Sequence, residues 1–182
     1  MKSMIVSFSA RKGGNCEALA EEIQSRIPGS DTLWFADLNV QLCARCAYEC
    51  IYKGVCKYRD DDLYDFYEKT RAYDKVFYIV PMYSGNPSSL FFLSQERGQG
   101  YWSENEEYYP EFTRKLYIVG IGNTNEQTSF SYPFLNLLEH SKGKMLILEP
   151  HRYGLGSLDT PLLKKRAVYD DLHRFLDVCL QH

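Results

Sequence analysis

The segment Ser7-Phe8-Ser9-Ala10-Arg11-Lys12-Gly13-Gly14-Asn15-Cys16 has the composition of an anion-binding loop. It follows an apolar run, Met4 to Phe8, that reads as a buried strand. Apolar positions then recur at Cys16, Leu19, Ala20, Ile23 and Ile27, a spacing that predicts a helix. A strand, a turn of glycine and small polar residues, and a helix together offer a phosphate free backbone N–H groups and the positive end of a helix dipole. Gly13 and Gly14 let the backbone approach a ligand, Arg11 adds a forked cation, and Ser9 and Asn15 add neutral donors. The orders Gly-x4-Gly-Lys-Ser/Thr and Gly-x-Gly-x-x-Gly are both missing here, which argues against a nucleoside triphosphate or a dinucleotide. An ordinary strand-to-helix turn with solvated charges would carry the same residues.

A second cluster is Cys43-x2-Cys46-x3-Cys50-x5-Cys56, four thiols within 14 residues, with Gly54 to turn the chain. A loop this short can fold round one centre, and four thiolates suit tetrahedral zinc or an iron-sulfur cluster. Structural zinc more often uses two Cys-x2-Cys knuckles set further apart, and reduced thiols without metal are the third reading. Cys179 falls on an apolar helical stripe and reads as a core thiol. His140, His151, His173 and His182 are scattered without ligand-like spacing and read as surface or capping residues.

Composition narrows the class. A chain of 182 residues with 45% hydrophobic and 25% charged residues suits one compact domain spanning 1–182. A formal charge of -3 gives no motive for a nucleic-acid partner. No apolar run approaches the roughly 20 residues of a membrane span, and the first run is too short for a signal peptide, so a cytoplasmic protein is expected. Thiols stay reduced in that compartment, so the six cysteines are not expected to form structural disulfides.

The elements that must position these residues follow in order. Thr32 to Leu38 reads as a second strand, Asp60-Asp61-Asp62 as a helix start with a stripe at Leu63, Phe66, Tyr67 and Thr70, and Val76 to Val80 as a central strand. Pro81-Met82-Tyr83-Ser84-Gly85-Asn86-Pro87-Ser88 leads into a helix to about Arg97. A polar and aromatic insertion, 98–112, contains Tyr101, Trp102, Tyr108 and Tyr109. Leu116 to Ile121 is a strand ended by Gly122-Asn123-Thr124-Asn125; Pro133 opens a helix to Ser141; Lys144 to Leu148 is a fifth strand; Thr160-Pro161 precedes a last helix. Strands alternating with helices predict an α/β three-layer sandwich, a five-stranded parallel sheet in the order 2-1-3-4-5 with helices on both faces. Such a sheet binds ligands at the carboxyl ends of strands 1 and 3, where the Ser9–Cys16 and Pro81–Ser88 loops lie.

At these residues the sequence resembles the NADPH-dependent FMN reductases and iron-sulfur flavoproteins of flavodoxin-like fold. Ser9 to Ala20 looks like that family's phosphate loop, Pro81-x-Tyr83-x-Gly85-Asn86-x-Ser88 looks like its second flavin loop, and Arg97 sits where an arginine closes the next helix. The cysteine loop also falls where the family has a cysteine motif, although x3 stands between the second and third cysteines where x2 is common. Phe8, Ala10 and Cys16 replace a glycine, a proline and a threonine. The resemblance implies FMN, with Ser9, Arg11, Lys12, Gly14, Asn15 and Cys16 round its phosphate. Pro81, Met82, Tyr83, Ser84, Gly85 and Asn86 would then surround the isoalloxazine, with Gly122 and Asn123 nearby. It implies hydride transfer from NAD(P)H as co-substrate, no catalytic side chain, and an unidentified electron acceptor. Cys43, Cys46, Cys50 and Cys56 would hold a [4Fe-4S] cluster if one is present. Two alternatives remain: an iron-sulfur electron carrier fed by a ferredoxin-like partner, and a non-enzymatic cysteine-based redox or metal sensor. A homodimer or homotetramer is expected, with the 98–112 aromatics forming the contact.

Overall fold

All five residues of β1 (Ser3–Ser7) are buried, and the strand lies between β2 (Asp31–Trp34) and β3 (Lys75–Tyr83), parallel to both. The computed structural model describes residues 1–44, 46–124, 129–139 and 141–181. β3 pairs in parallel with β5 (Leu116–Ile121), and β5 with β6 (Met145–Leu148), so the sheet runs β2-β1-β3-β5-β6. β4 (Asn86–Pro87) is a two-residue antiparallel arm on β3. Counting the parallel strands alone, the order is the expected 2-1-3-4-5.

Alternation of side chains along each strand builds two cores. Met4, Val6, Phe8, Val76, Tyr78 and Val80 face one, beneath α3 (Asp62–Thr70) and α4 (Ser89–Glu104). Ile5, Phe77, Ile79 and Val119 face the other, beneath α1 (Asn15–Arg26) and α7 (Arg166–Gln181). This is a sheet between two helical layers. Cys179 is buried in the second core, as its stripe indicated. The ring of Phe8, fully buried, contacts those of Phe35, Tyr78 and Phe91 at 5.0, 4.7 and 5.7 Å between centroids. A phenylalanine fits here, where the resemblance implies a glycine, because its ring points into the core. It leaves the loop itself clear.

One element differs from expectation. The segment read as an insertion, 98–112, is helical instead: α4 continues through Gly98 and Gly100 to Glu104, and α5 (Tyr109–Lys115) follows a single 3-10 turn. Tyr101 and Tyr108 are buried, and Trp102 packs on Tyr67 and Phe112 at 4.7 and 4.9 Å. Tyr101 and Tyr108 are core, Trp102 and Tyr109 are half-buried against it, and the glycines are close-approach positions. A Cβ on Gly98 would stand 2.6 Å from the Tyr67 hydroxyl.

Ser88 joins helix to strand. Its hydroxyl donates to the Phe8 carbonyl (2.8 Å) and accepts from Phe91 N–H, capping α4. Ser88→Ala is expected to cost about 1 kcal/mol from the lost cap, measured as a lower denaturant midpoint with an unchanged slope.

Candidate functional site

A cleft opens at the carboxyl ends of β1 and β3. Ser9, Arg11, Gly14, Asn15 and Cys16 line it from the first loop, and Pro81, Met82 and Tyr83 from the second. The two segments selected from sequence therefore converge. A third wall, Ser157, Leu158 and Thr160 between β6 and α7, went unrecognised, because no local pattern marks a loop from the far end of the chain as a neighbour.

The first loop is shaped by its own hydrogen bonds. Ser9 Oγ accepts from Arg11 N–H (3.1 Å) and donates to the Arg11 carbonyl (3.0 Å), closing a tight turn. The Arg11 guanidinium lies over Gly14, with Nε 3.6 Å from where a Cβ would be. Among the described residues no carboxylate pairs with Arg11 within salt-bridge distance, whereas Lys12 is turned away to Asp37 (3.2 Å). Gly14 caps α1 without a side chain, so the first-turn N–H groups of the helix keep their capacity to bind an anion. Glu17 reaches back to accept from Gly13 N–H.

Asn15 does other work than the sequence implied. Its amide nitrogen donates to the Asp159 carbonyl (3.0 Å) and its oxygen accepts from Leu162 N–H (2.8 Å), so it pins the third wall to α1. Asn123 likewise faces away from the cleft: it bonds Ser157 Oγ (2.8 Å) and accepts from His151 N–H (2.9 Å). Gly122 is a contact point, since a Cβ there would lie 2.3 Å from that of Met82. Lys12, Ser84, Gly85, Asn86, Gly122 and Asn123 are not among the residues lining the cleft. Ser84 and Gly85 form the tip of a two-residue hairpin with φ of 48° and 77°, the positive pair a type I′ turn demands. That turn sets Tyr83 at the cleft rim, 53% exposed and available for stacking.

Cys16 is buried beside the loop, and burial pushes its thiol from 9.0 up to about 12, against smaller opposing effects of Ser9 and the Arg11 charge. It stays a neutral thiol, so nucleophilic chemistry here is excluded at ordinary pH. The folded chain keeps a proton that the unfolded chain releases between about pH 9 and about pH 12, so stability is full below this window and falls as pH rises through it. Cys16→Ala is expected to make that fall shallower, seen in urea midpoints taken below and within the window.

The cysteine loop docks on α4, against Arg97, Gly100 and Glu104. Cys43, Cys46, Cys50 and Cys56 line one pocket with Lys57, Tyr58, Glu96, Arg97 and Gly100. All four are free thiols. Glu104 fastens the loop by accepting from Cys56 N–H (3.1 Å) and Tyr64 Oη (2.6 Å), and Asp61 accepts from Gln41 N–H (2.9 Å). Gly100 makes room: a Cβ there would be 2.7 Å from Cys56 Cβ. Among the described residues no three His, Cys, Asp or Glu are drawn close enough to hold a single metal ion. The four thiols thus share a cavity without the tight tetrahedron that zinc requires. His173 bonds Glu22 (2.7 Å) and stacks on Tyr169, and His151 bonds Asn123, both away from any ligand set. His140, His182 and Asn125 lie outside the described residues.

This architecture recurs in known structures. The chain superposes on an azoreductase from Bacillus anthracis str. Sterne (TM-score 0.60, 12% identity, 100% of this chain and 99% of that one). It also superposes on the Trp repressor binding protein from Bacillus subtilis (0.56, 16%, 96% of each) and a cysteine-to-serine variant of flavodoxin from Pseudomonas aeruginosa (0.51, 12%, 100% of each). The fold is flavodoxin-like. At these identities the likeness is one of fold. No protein-family model matches. In sequence, an iron-sulfur flavoprotein from Methanosarcina thermophila is 37% identical over 95 residues, 50% of this chain and 49% of that protein. The chain thus aligns with about half the length of that curated relative, and over that half the resemblance to the iron-sulfur flavoproteins of flavodoxin-like fold is borne out. No helix among the described residues is long and apolar enough to cross a membrane.

Proposed function

We propose that this flavodoxin-like chain is an FMN-binding oxidoreductase that takes electrons from NAD(P)H and passes them to an acceptor. The observation that carries the reading is the convergence of the Ser9–Cys16 loop and the Pro81–Tyr83 segment on one cleft. An unpaired guanidinium and the uncapped first turn of α1 suit a phosphate, and an exposed tyrosine ring with apolar Pro81, Met82, Ile121 and Leu158 suits a planar aromatic system. When bound, FMN supplies hydride acceptance and one-electron release.

The protein's own residues bind and orient. Among the described residues no histidine or carboxylate lines the cleft, and the Cys16 thiol is held neutral, so the described wall binds and orients without exchanging a proton. Asn15, by fixing the Asp159–Leu162 segment, keeps Leu158 and Thr160 in place as the water-excluding side. Asn15→Ala is expected to raise the Kd for FMN about tenfold while lowering stability little, because both lost bonds tether a surface loop. Fluorescence titration checks the first part and urea unfolding the second. The function itself is tested by mixing the purified protein with FMN and following NADH or NADPH absorbance under an added acceptor. A protein that ignores FMN, or whose FMN complex oxidises neither nucleotide, rejects it.

A second reading is favoured by the four cysteines sharing one pocket: an iron-sulfur flavoprotein receiving electrons from a ferredoxin-like partner. Arg97, on that pocket, belongs to α4, whose N-cap Ser88 follows the Pro81–Tyr83 segment of the cleft in the chain, so one helix connects the two sites. Iron and sulfide analysis after anaerobic purification, with reduction by ferredoxin compared against NADPH, separates the two readings.

A further inference from the structure

Arg97 is the most deeply buried charge in the chain that is left only partly bonded. The residue is 1% exposed, and its Nη2 donates to the Tyr58 carbonyl (2.8 Å) and to Asp61 Oδ2 (3.0 Å). Nε and Nη1 find no partner among the described residues, which leaves three of the five guanidinium N–H donors unused in the interior. An unmade buried hydrogen bond is costly, so such a group marks a place where something accepts. Arg97 lines the cavity shared by Cys43, Cys46, Cys50 and Cys56. Glu96 and Lys57, of opposite charge, line it too, and Arg97 is a second cation on its wall, paired through Nη2 with Asp61.

We propose that Arg97 is the positioning residue of the cysteine pocket, donating through Nε and Nη1 to the sulfur atoms of a thiolate-bound iron-sulfur cluster and raising its reduction potential. The proposal rests on the iron-sulfur reading of the four cysteines. Thiolates and inorganic sulfides are anionic acceptors, and the cluster gains one more negative charge on reduction. Donors and a cation held against the sulfurs therefore stabilise the reduced form more than the oxidised form. Asp61 holds the fork in place by ion pairing with Nη2, and as N-cap of α3 it is itself fixed by Leu63 N–H (3.1 Å). The planar fork matters here, because a lysine would keep the charge and lose the spread of donors.

The test uses protein assembled anaerobically with iron and sulfide. Iron and sulfide content are measured first, then the midpoint potential by mediated titration followed by EPR. Wild type is expected to carry both elements. Arg97→Lys is expected to keep them, with the reduced-to-oxidised ratio at a fixed solution potential lowered about tenfold, or about 59 mV for a one-electron couple. Arg97→Gln combined with Asp61→Asn removes cation and anion together, leaves no lone buried charge, and is expected to shift the midpoint in the same direction; it carries the test should the lysine variant not fold. Unchanged midpoints overturn the role of Arg97 and leave the cluster standing. Wild type that takes up no iron and sulfide overturns the cluster reading, and the proposal with it.

Discussion

Arg11→Gln weakens FMN binding by about 10- to 100-fold and leaves riboflavin binding unchanged. The magnitude follows from one charge-assisted contact to phosphate, about 1.5–3 kcal/mol, at 1.4 kcal/mol per tenfold. The selectivity follows from the loop. Lys12 is committed to Asp37, and Glu17 occupies Gly13 N–H, so Arg11 is the cation left to face a phosphate beside Gly14. Riboflavin lacks the phosphate and has nothing to lose. Fluorescence titrations of both flavins against both proteins measure this directly. Raising the ionic strength should narrow the difference between them for FMN, since part of the contact is Coulombic and partly exposed.

Gly100→Val detaches the cysteine loop. A Cβ at 100 would stand 2.7 Å from Cys56 Cβ and 3.0 Å from its Sγ, and Cys56 Cβ is anchored to backbone that Glu104 already holds. No rotamer relieves this contact, so the loop must move off α4. Overpacking of this kind costs about 1–3 kcal/mol, and valine adds two methyl groups to the clash. The expected result is a thermal midpoint several degrees lower, faster alkylation of Cys50 and Cys56, and loss of any iron the pocket holds. FMN affinity should stay within about twofold, because α4 keeps its cap at Ser88 and the cleft lies at the other end of the helix. Labelling that is no faster in the variant would show that Gly100 is not what seats the loop.

The sheet was legible because its signals are local. Uninterrupted apolar runs at Val76–Val80 and Leu116–Ile121 mark strands covered on both faces, and both are buried in the centre of the sheet. The glycine loop and the Pro81 turn were legible for the same reason. What the residues of the cleft do was less so. Asn15 and Asn123 are amides in the right loops, yet their partners are Asp159, Leu162, His151 and Ser157, up to 147 positions away in the chain. Residue type says that an amide will bond; only the fold says to whom. Gly98 and Gly100 lower helix propensity, yet α4 runs through both to Glu104, because each gives a neighbouring side chain room to approach the helix. The aromatics at 101–112 seemed suited to a surface, but they face a wide layer between α3 and the sheet that needs large side chains to fill it. The third wall, Ser157 to Thr160, carries polar and small residues common to many loops, and its place at the cleft depends on where α7 returns.

The central claim is that two loops converge on a cleft made for a flavin phosphate and its ring. Titrating the purified protein with FMN and with riboflavin, and following flavin fluorescence, tests it most directly. The account predicts one FMN per chain with quenched fluorescence, and riboflavin bound at least tenfold more weakly. Equal affinity for the two flavins, or no binding of either, would contradict it.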